Sequence, residues 1–293
     1  MEAGRISAKA KTAQENLREH LRDVMERYRL PSLPVVVTKV LRMLKDPDFS
    51  VRQLSRVISD DTALAGKTLA ISRSARYAKR RQPTTVNDAI LVLGFHTLRN
   101  IVMATAAQSF MVRSGRVAEK LWFHSLAVAM ASRILAQRGG FEDPETAFLA
   151  GLLHDIGETV LLNGDPRGFE ETLEEVELNL GSLVEIEREK YAFDHASIGL
   201  ALLDYWEIDP QIGQAIFWHH FEGDSIEAKS LASILKMADY LSFKADLGFY
   251  SEPPAPTEAM NQAFGCETAE SLEALALEVR EAFDQESLLF RPA

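Results

Sequence analysis

The stretch from Gly151 to Val160, GLLHDIGETV, sets a histidine beside an aspartate inside an otherwise apolar segment. Burying either side chain alone is costly, so His154 and Asp155 demand partners from elsewhere in the chain. Of the seven histidines, five fall on or beside apolar helical faces. His124 shares its face with Leu121, Val128, Ala131 and Leu135. His195 follows Asp194, a residue type suited to a helix N-cap, and lies with Ile198, Gly199 and Leu202. His219 and His220 end the apolar run IGQAIFWHH, and Asp239 sits among Leu235, Ala238 and Leu241.

Taken singly, a histidine on an apolar face is an ordinary hydrogen-bonded core residue and an aspartate an ordinary cap. Together, His124, His154, Asp155, His195, His219, His220 and Asp239 are the residue types of a divalent metal centre. Neutral imidazoles donate to the ion, and a carboxylate can bridge two ions. Neighbouring residues on a helix point about 100° apart, so a His-Asp pair can flank one ion or serve two. The alternative is a metal-free polar core, in which every imidazole must find a protein or water partner.

The elements that would position these residues are helical. Apolar residues recur at helical spacing and no strand-like alternation persists, which predicts an all-α fold. After a charged N-terminal stretch, Pro31-Ser32-Leu33-Pro34 starts a helix to about Lys45 with Val36, Val40, Leu41 and Leu44 inward. Ser50 with Gln53 predicts a capping box for the next helix, which carries Leu54 and Ile58. A third helix follows Asp60-Asp61. Thr85 with Asp88 begins a fourth, closed by Gly94, and Phe95 to Val112 makes a fifth. Beyond a predicted hinge at Ser114-Gly115, longer helices are expected over Val117–Arg138, Pro144–Asn163, Leu173–Tyr191, His195–Glu207, Pro210–His219 and Ser230–Phe243. Three prolines mark a loop from Ser251 to Thr257, and a last helix over about Glu267 to Asp284 must dock on its own domain or on a partner.

Composition narrows the classes. The net charge of -11 argues against nucleic-acid binding as the main activity. Arg73 to Arg81, RSARYAKRR, is the local exception and reads as a solvated turn. Cys266 is the single cysteine, so no intramolecular disulfide forms, which fits a reducing cytoplasm. The first twenty residues lack a secretory signal, and no run of about 18 apolar residues suggests a membrane span.

The ordered set His124, His154-Asp155, Asp239 resembles the H…HD…D signature of the HD superfamily of metal-dependent phosphohydrolases. His195 and His219-His220 are similar to the added ligands of the HD-GYP phosphodiesterases that open cyclic di-GMP. The segment order resembles more closely an HDOD domain, the HD-related output domain of bacterial signalling proteins, over about Leu30 to Leu241. That resemblance implies an HD-like helical bundle preceded by a smaller N-terminal five-helix bundle. The expected parts are a helical extension (1–29), an N-terminal subdomain (30–113), an HD-like subdomain (114–250), and a linker with a C-terminal helix (251–293).

It also implies a signalling output or scaffold module that contacts protein partners, with one or two divalent ions of iron, manganese or zinc. A metal-dependent phosphohydrolase is the competing reading, with Asp155, His219 and His220 as its catalytic residues and a cyclic dinucleotide as a less favoured ligand. Two departures weigh against hydrolysis. Phe221-Glu222-Gly223-Asp224-Ser225 stands where HD-GYP enzymes carry a Gly-Tyr-Pro segment, and Glu158 stands where active relatives commonly have a lysine for the substrate phosphate. No receiver, GGDEF-like or DNA-binding segment is recognisable, so the input is expected from another chain or from the N-terminal bundle.

Overall fold

Apolar residues at helical spacing yield helices throughout the computed structural model, which describes residues 22–28, 30–77, 82–110, 115–178, 181–221 and 227–290. The expected extension before residue 22, the hinge residue Ser114, the end of the basic run (78–81) and residues 222–225 after the paired histidines lie outside these. Among the described residues there is no strand. The fold is all-α.

The N-terminal helices are α1 (22–28), α2 (Val35–Lys45), α3 (Val51–Ser59), α4 (Thr62–Ser72) and α5 (Val86–Phe110). Thr85 and Asp88 exchange hydrogen bonds that cap α5. Ser50 makes no side-chain cap bond, so the capping box expected at α3 does not form. Gly94 breaks α5 with φ 76°, a left-handed value that favours glycine, so its two pieces run on either side of a kink. On α2 the buried residues are Val37 and Val40, whereas Val36, Leu41 and Leu44 are half-buried against the core. By length and mean hydropathy α5 alone among the described helices could cross a membrane, although no unbroken run of about 18 apolar residues marks it. Most of it is buried in the core instead.

Two expected helices are each divided. Pro144–Asn163 becomes α7 (Pro144–Leu153) and α8 (Ile156–Gly164), and the break falls on His154 and Asp155. Leu173–Tyr191 becomes the end of α9 (Pro166–Glu177) and α10 (Leu183–Tyr191), because Ser182 and Glu185 form a capping box that starts a new helix. The other elements are α6 (Arg116–Gly139), α11 (His195–Tyr205), α12 (Pro210–Trp218), α13 (Leu231–Lys244), α14 (Glu258–Phe264) and α15 (Ala269–Glu286), ending in a 3-10 turn (Ser287–Phe290). The pattern reading missed α14, which has only seven residues and whose N-cap Thr257 was assigned to the loop.

Helix α6 is buried nearly all round and runs through the middle of the molecule. One apolar cluster joins Val40, Leu54 and Ile58 of the N-terminal helices to Leu121, Phe148, Ile156 and Ile198. A second docks α15 on α6 and α13 through Val128, Leu135, Leu241, Leu275 and Val279. The last helix therefore packs on its own chain. Its end also straps the two parts together: the carbonyl of Phe290 accepts from Trp122 Nε1 at 3.1 Å and Gln108 Nε2 at 2.7 Å. Beside it Glu286 pairs with Arg133 at 2.9 Å and with Arg76 at 3.2 Å.

Arg133 is buried, with Glu145 Oε1 3.7 Å away and the Phe148 ring beneath it. Removing Glu286 leaves the buried Arg133 with only the longer Glu145 contact, so Glu286→Ala is expected to cost about 3 kcal/mol. Glu278→Ala, which removes the exposed partner of Arg138, should cost no more than about 1 kcal/mol. Denaturant unfolding of both variants checks the difference, and equal costs would refute the role given to the strap.

Candidate metal centre

The break between α7 and α8 is what delivers His154 and Asp155. Gly151 packs so closely on α6 that an added Cβ would lie 2.7 Å from Val128 O, which brings His154 up to His124. Gly157 meets the first residue of α11 even more tightly, since a Cβ there would lie 2.0 Å from His195 O. Both glycines permit approaches that any side chain would block. Asp155 itself leaves helical geometry, with φ -104° and ψ 22°, so its carboxylate points into the gap between α6, α11, α12 and α13.

All seven residues expected at the site come together. Asp155 divides its two oxygens between two groups of rings. Its Oδ2 stands 2.9 Å from His154 Nε2 and 3.5 Å from His124 Nε2, and Asp239 Oδ1 is 3.3 Å from the same His124 nitrogen. Its Oδ1 stands 3.5 Å from His195 Nε2 and 3.6 Å from His219 Nε2, while His195 and His220 face each other at 2.8 Å between Nε2 atoms. His124, His154, His195 and His219 are buried, and His220 is half-buried.

The outer ring nitrogens set the tautomers. Nδ1 of His124 faces Leu247 O, that of His154 faces Gly151 O, and that of His219 faces Ile216 O. A carbonyl only accepts, so each Nδ1 carries the hydrogen and each ring turns its Nε2 to the centre, where the lone pair is available to an ion once that nitrogen holds no proton. His154 Nε2, His219 Nε2 and Asp155 Oδ1 are buried without a hydrogen-bond partner. Nitrogen and oxygen ligands held about 2.0–2.2 Å from one ion stand about 2.9–3.5 Å apart, close to the separations across each group. The donor set fits one ion in the His124–His154–Asp239 group and another in the His195–His219–His220 group, with Asp155 between them.

Two acidic residues complete the surroundings. Glu187 of α10 accepts from His195 Nδ1 at 2.7 Å and from the His195 backbone N–H at 2.9 Å. Glu158 is buried, with Oε1 3.9 Å from the same ring nitrogen. Sequence reasoning missed Glu187. The signal was a charged residue on the apolar stripe that Leu183 and Tyr191 define four residues to either side.

Electrostatics follow the geometry. Burial works against a charged His124 ring, but the Asp155 and Asp239 carboxylates raise its pKa well above the usual histidine value. His195 is likewise raised, against burial, by Glu187 and Asp155. Burial lowers His154, and burial with the adjacent His219 and His195 rings lowers His220 further. Burial opposes charge on Asp155, yet the surrounding imidazoles hold its pKa well below the carboxylate range. Glu158 is pushed well up by burial and by Asp155.

The sequence pattern of the HDOD domain matches residues 30–221. The chain belongs to the HDOD domain family. An HDOD domain protein of unknown function from Geobacter sulfurreducens shares the fold, with a TM-score of 0.72 and 23% identity over 92% of this chain and 98% of that one. A candidate phosphohydrolase from Shewanella amazonensis SB2B aligns with a TM-score of 0.69 and 28% identity over 92% of this chain and 96% of its own. An uncharacterized protein of Treponema pallidum (strain Nichols) is 25% identical over 72% of this HDOD chain, which spans only 41% of that relative's length.

The carboxylates that raise His124 and His195 favour a proton on those rings, so protons compete there with an ion. Metal uptake should therefore release protons, and affinity should fall as pH falls. Calorimetric titration with zinc in buffers of different ionisation enthalpy measures the release. A heat that does not depend on the buffer would contradict the protonation pattern.

Proposed function

We propose that this HDOD protein is a signalling output or scaffold module that holds divalent metal in the His-Asp centre and turns over cyclic dinucleotides slowly or not at all. The observation that carries the reading is the charge of the cavity over the centre. This cavity has a volume of about 640 Å³. Its described lining includes the carboxyl groups of Asp155, Glu185, Asp194, Asp239 and Glu252, together with Glu158, which burial and Asp155 push towards its neutral form. The only arginine or lysine among the described lining residues is Arg188, and its guanidinium is held by Asp194 at 2.6 Å. An anionic diester entering such a cavity meets these acidic groups, and no unpaired arginine or lysine among the described lining residues is placed to offset the charge that grows in its transition state.

His124, His154 and Asp239 would hold one ion and His195, His219 and His220 the other, with Asp155 shared. When bound, such ions polarise a water and lower its pKa towards neutrality. Around them the chain's own residues fix ring orientation through backbone carbonyls and exclude water by burial. The N-terminal subdomain (30–113) and the HD-like subdomain (114–250) act in this reading as one module that a signalling partner contacts.

A phosphohydrolase is the second reading. It is favoured by the division of the Asp155 oxygens between two ring groups, a two-ion arrangement, and by the likeness to the Shewanella protein. Asp155, His219 and His220 would then be the catalytic residues, with His220 the one of the paired rings that lines the cavity.

Protein loaded in turn with iron, manganese and zinc is expected to hydrolyse cyclic di-GMP, linear dinucleotides and generic phosphoesters no faster than Asp155→Ala. An unfavourable substitution for one preorganised charge contact commonly costs about 10²-fold or more in rate. Robust turnover that disappears in Asp155→Ala would replace the output-module reading with the enzymatic one.

A further inference from the structure

We infer that the two halves of the centre draw on different negative charges, and that Glu187 gives the His195–His219–His220 half what Asp239 gives the His124–His154 half. This rests on the metal-centre reading and goes beyond it by making the two ion positions chemically unequal.

In the first half a carboxylate of its own, Asp239, stands 3.3 Å from His124 Nε2. The second half has three imidazoles, and among the described residues the carboxylate grouped with all three of them is that of Asp155, whose other oxygen serves the first half. The outer partners differ in the same way. His124, His154 and His219 turn Nδ1 to backbone carbonyls, whereas His195 turns Nδ1 to the Glu187 carboxylate at 2.7 Å. Glu158 Oε1, at 3.9 Å, is too far to take that bond.

A carbonyl would suffice to orient His195, as it does for the other three rings. Glu187 is instead a fully buried carboxylate whose Oε1 has no hydrogen-bond partner, a costly arrangement for orientation alone. What a carboxylate adds at Nδ1 is negative charge transmitted through the ring, which makes Nε2 a stronger donor to a cation. Since the imidazole stands between Glu187 and the centre, Glu187 acts as a positioning and charge-supplying residue and not as a ligand.

The test is titration of the full chain, stripped with a chelator, with manganese(II), reading free manganese by its paramagnetic resonance signal. Wild type should take up two ions. Glu187→Gln keeps an acceptor oxygen for both N–H groups but removes the charge, and should weaken one ion by about 10- to 100-fold while leaving the other unchanged. Asp239→Asn should weaken the other ion, and the double variant both. The inference is overturned if E187Q alters neither ion or both alike, or if the double variant still holds one ion at wild-type affinity. A second measurement needs no variant: in the zinc-loaded wild type, the Nδ1 proton of His195 should resonate furthest downfield of the four ring N–H protons of His124, His154, His195 and His219. A His195 signal among the others would also overturn it. Uptake of no manganese would overturn the metal-centre reading itself, whereas two ions untouched by E187Q would overturn this inference alone.

Discussion

A carboxylate buried among imidazoles is stable only if its charge is matched, and Asp155 turns each oxygen to a different group of rings, with Oδ1 left without a hydrogen-bond partner. Oδ2 faces His154 and His124, and Oδ1 faces His195 and His219. Each ring arrives from a different helix or helix end, so those elements must meet at one point to within a few tenths of an ångström. Elsewhere the packing can be read as service to that requirement. Helix α6 carries His124 through the centre, and the α7–α8 break turns the His-Asp pair into it.

Close backbone approach makes the meeting possible. Gly151 and Gly157 flank the pair, and each removes a side chain where another backbone passes. The site is thus held by main chain as much as by side chains. Carbonyls of Gly151, Ile216 and Leu247 fix three rings, and all three lie outside any metal motif that residue types could spell. The α15 strap works at longer range, tying Arg76 and Gln108 of the N-terminal part to Trp122 and Arg133 of α6 through Glu286 and Phe290.

Retained ligands and an acidic cavity pull in different directions, and this tension shapes the functional reading. A donor set able to hold ions is a matter of a few atoms at the bottom of the site. Substrate handling would depend on the wall above it, whose described lining includes Glu185, Asp194, Glu252 and the Asp194-paired Arg188. A fold can keep the first while losing the second, because the buried polar cluster is needed for packing whether or not chemistry follows.

The sequence alone determined the all-α class, the inward phase of His124, His195 and Asp239, and the family resemblance, because helical periodicity and ordered motifs are local properties of the chain. It also put a helix end at Gly94, where the structure has a kink within α5, since a glycine between two apolar runs is a local signal. Tertiary structure decided that His154 and Asp155 stand at a helix break, which the unbroken apolar pattern of PETAFLAGLLHDIGETVLL hid. It decided that Val37 joins Val40 in the core while Val36, Leu41 and Leu44 are half-buried, a shift of the α2 face that only the neighbouring helices specify. It decided where the last helix docks, and it brought Glu187 against His195. These are outcomes of distant elements meeting, and residue spacing along one chain carries no record of which surfaces will touch.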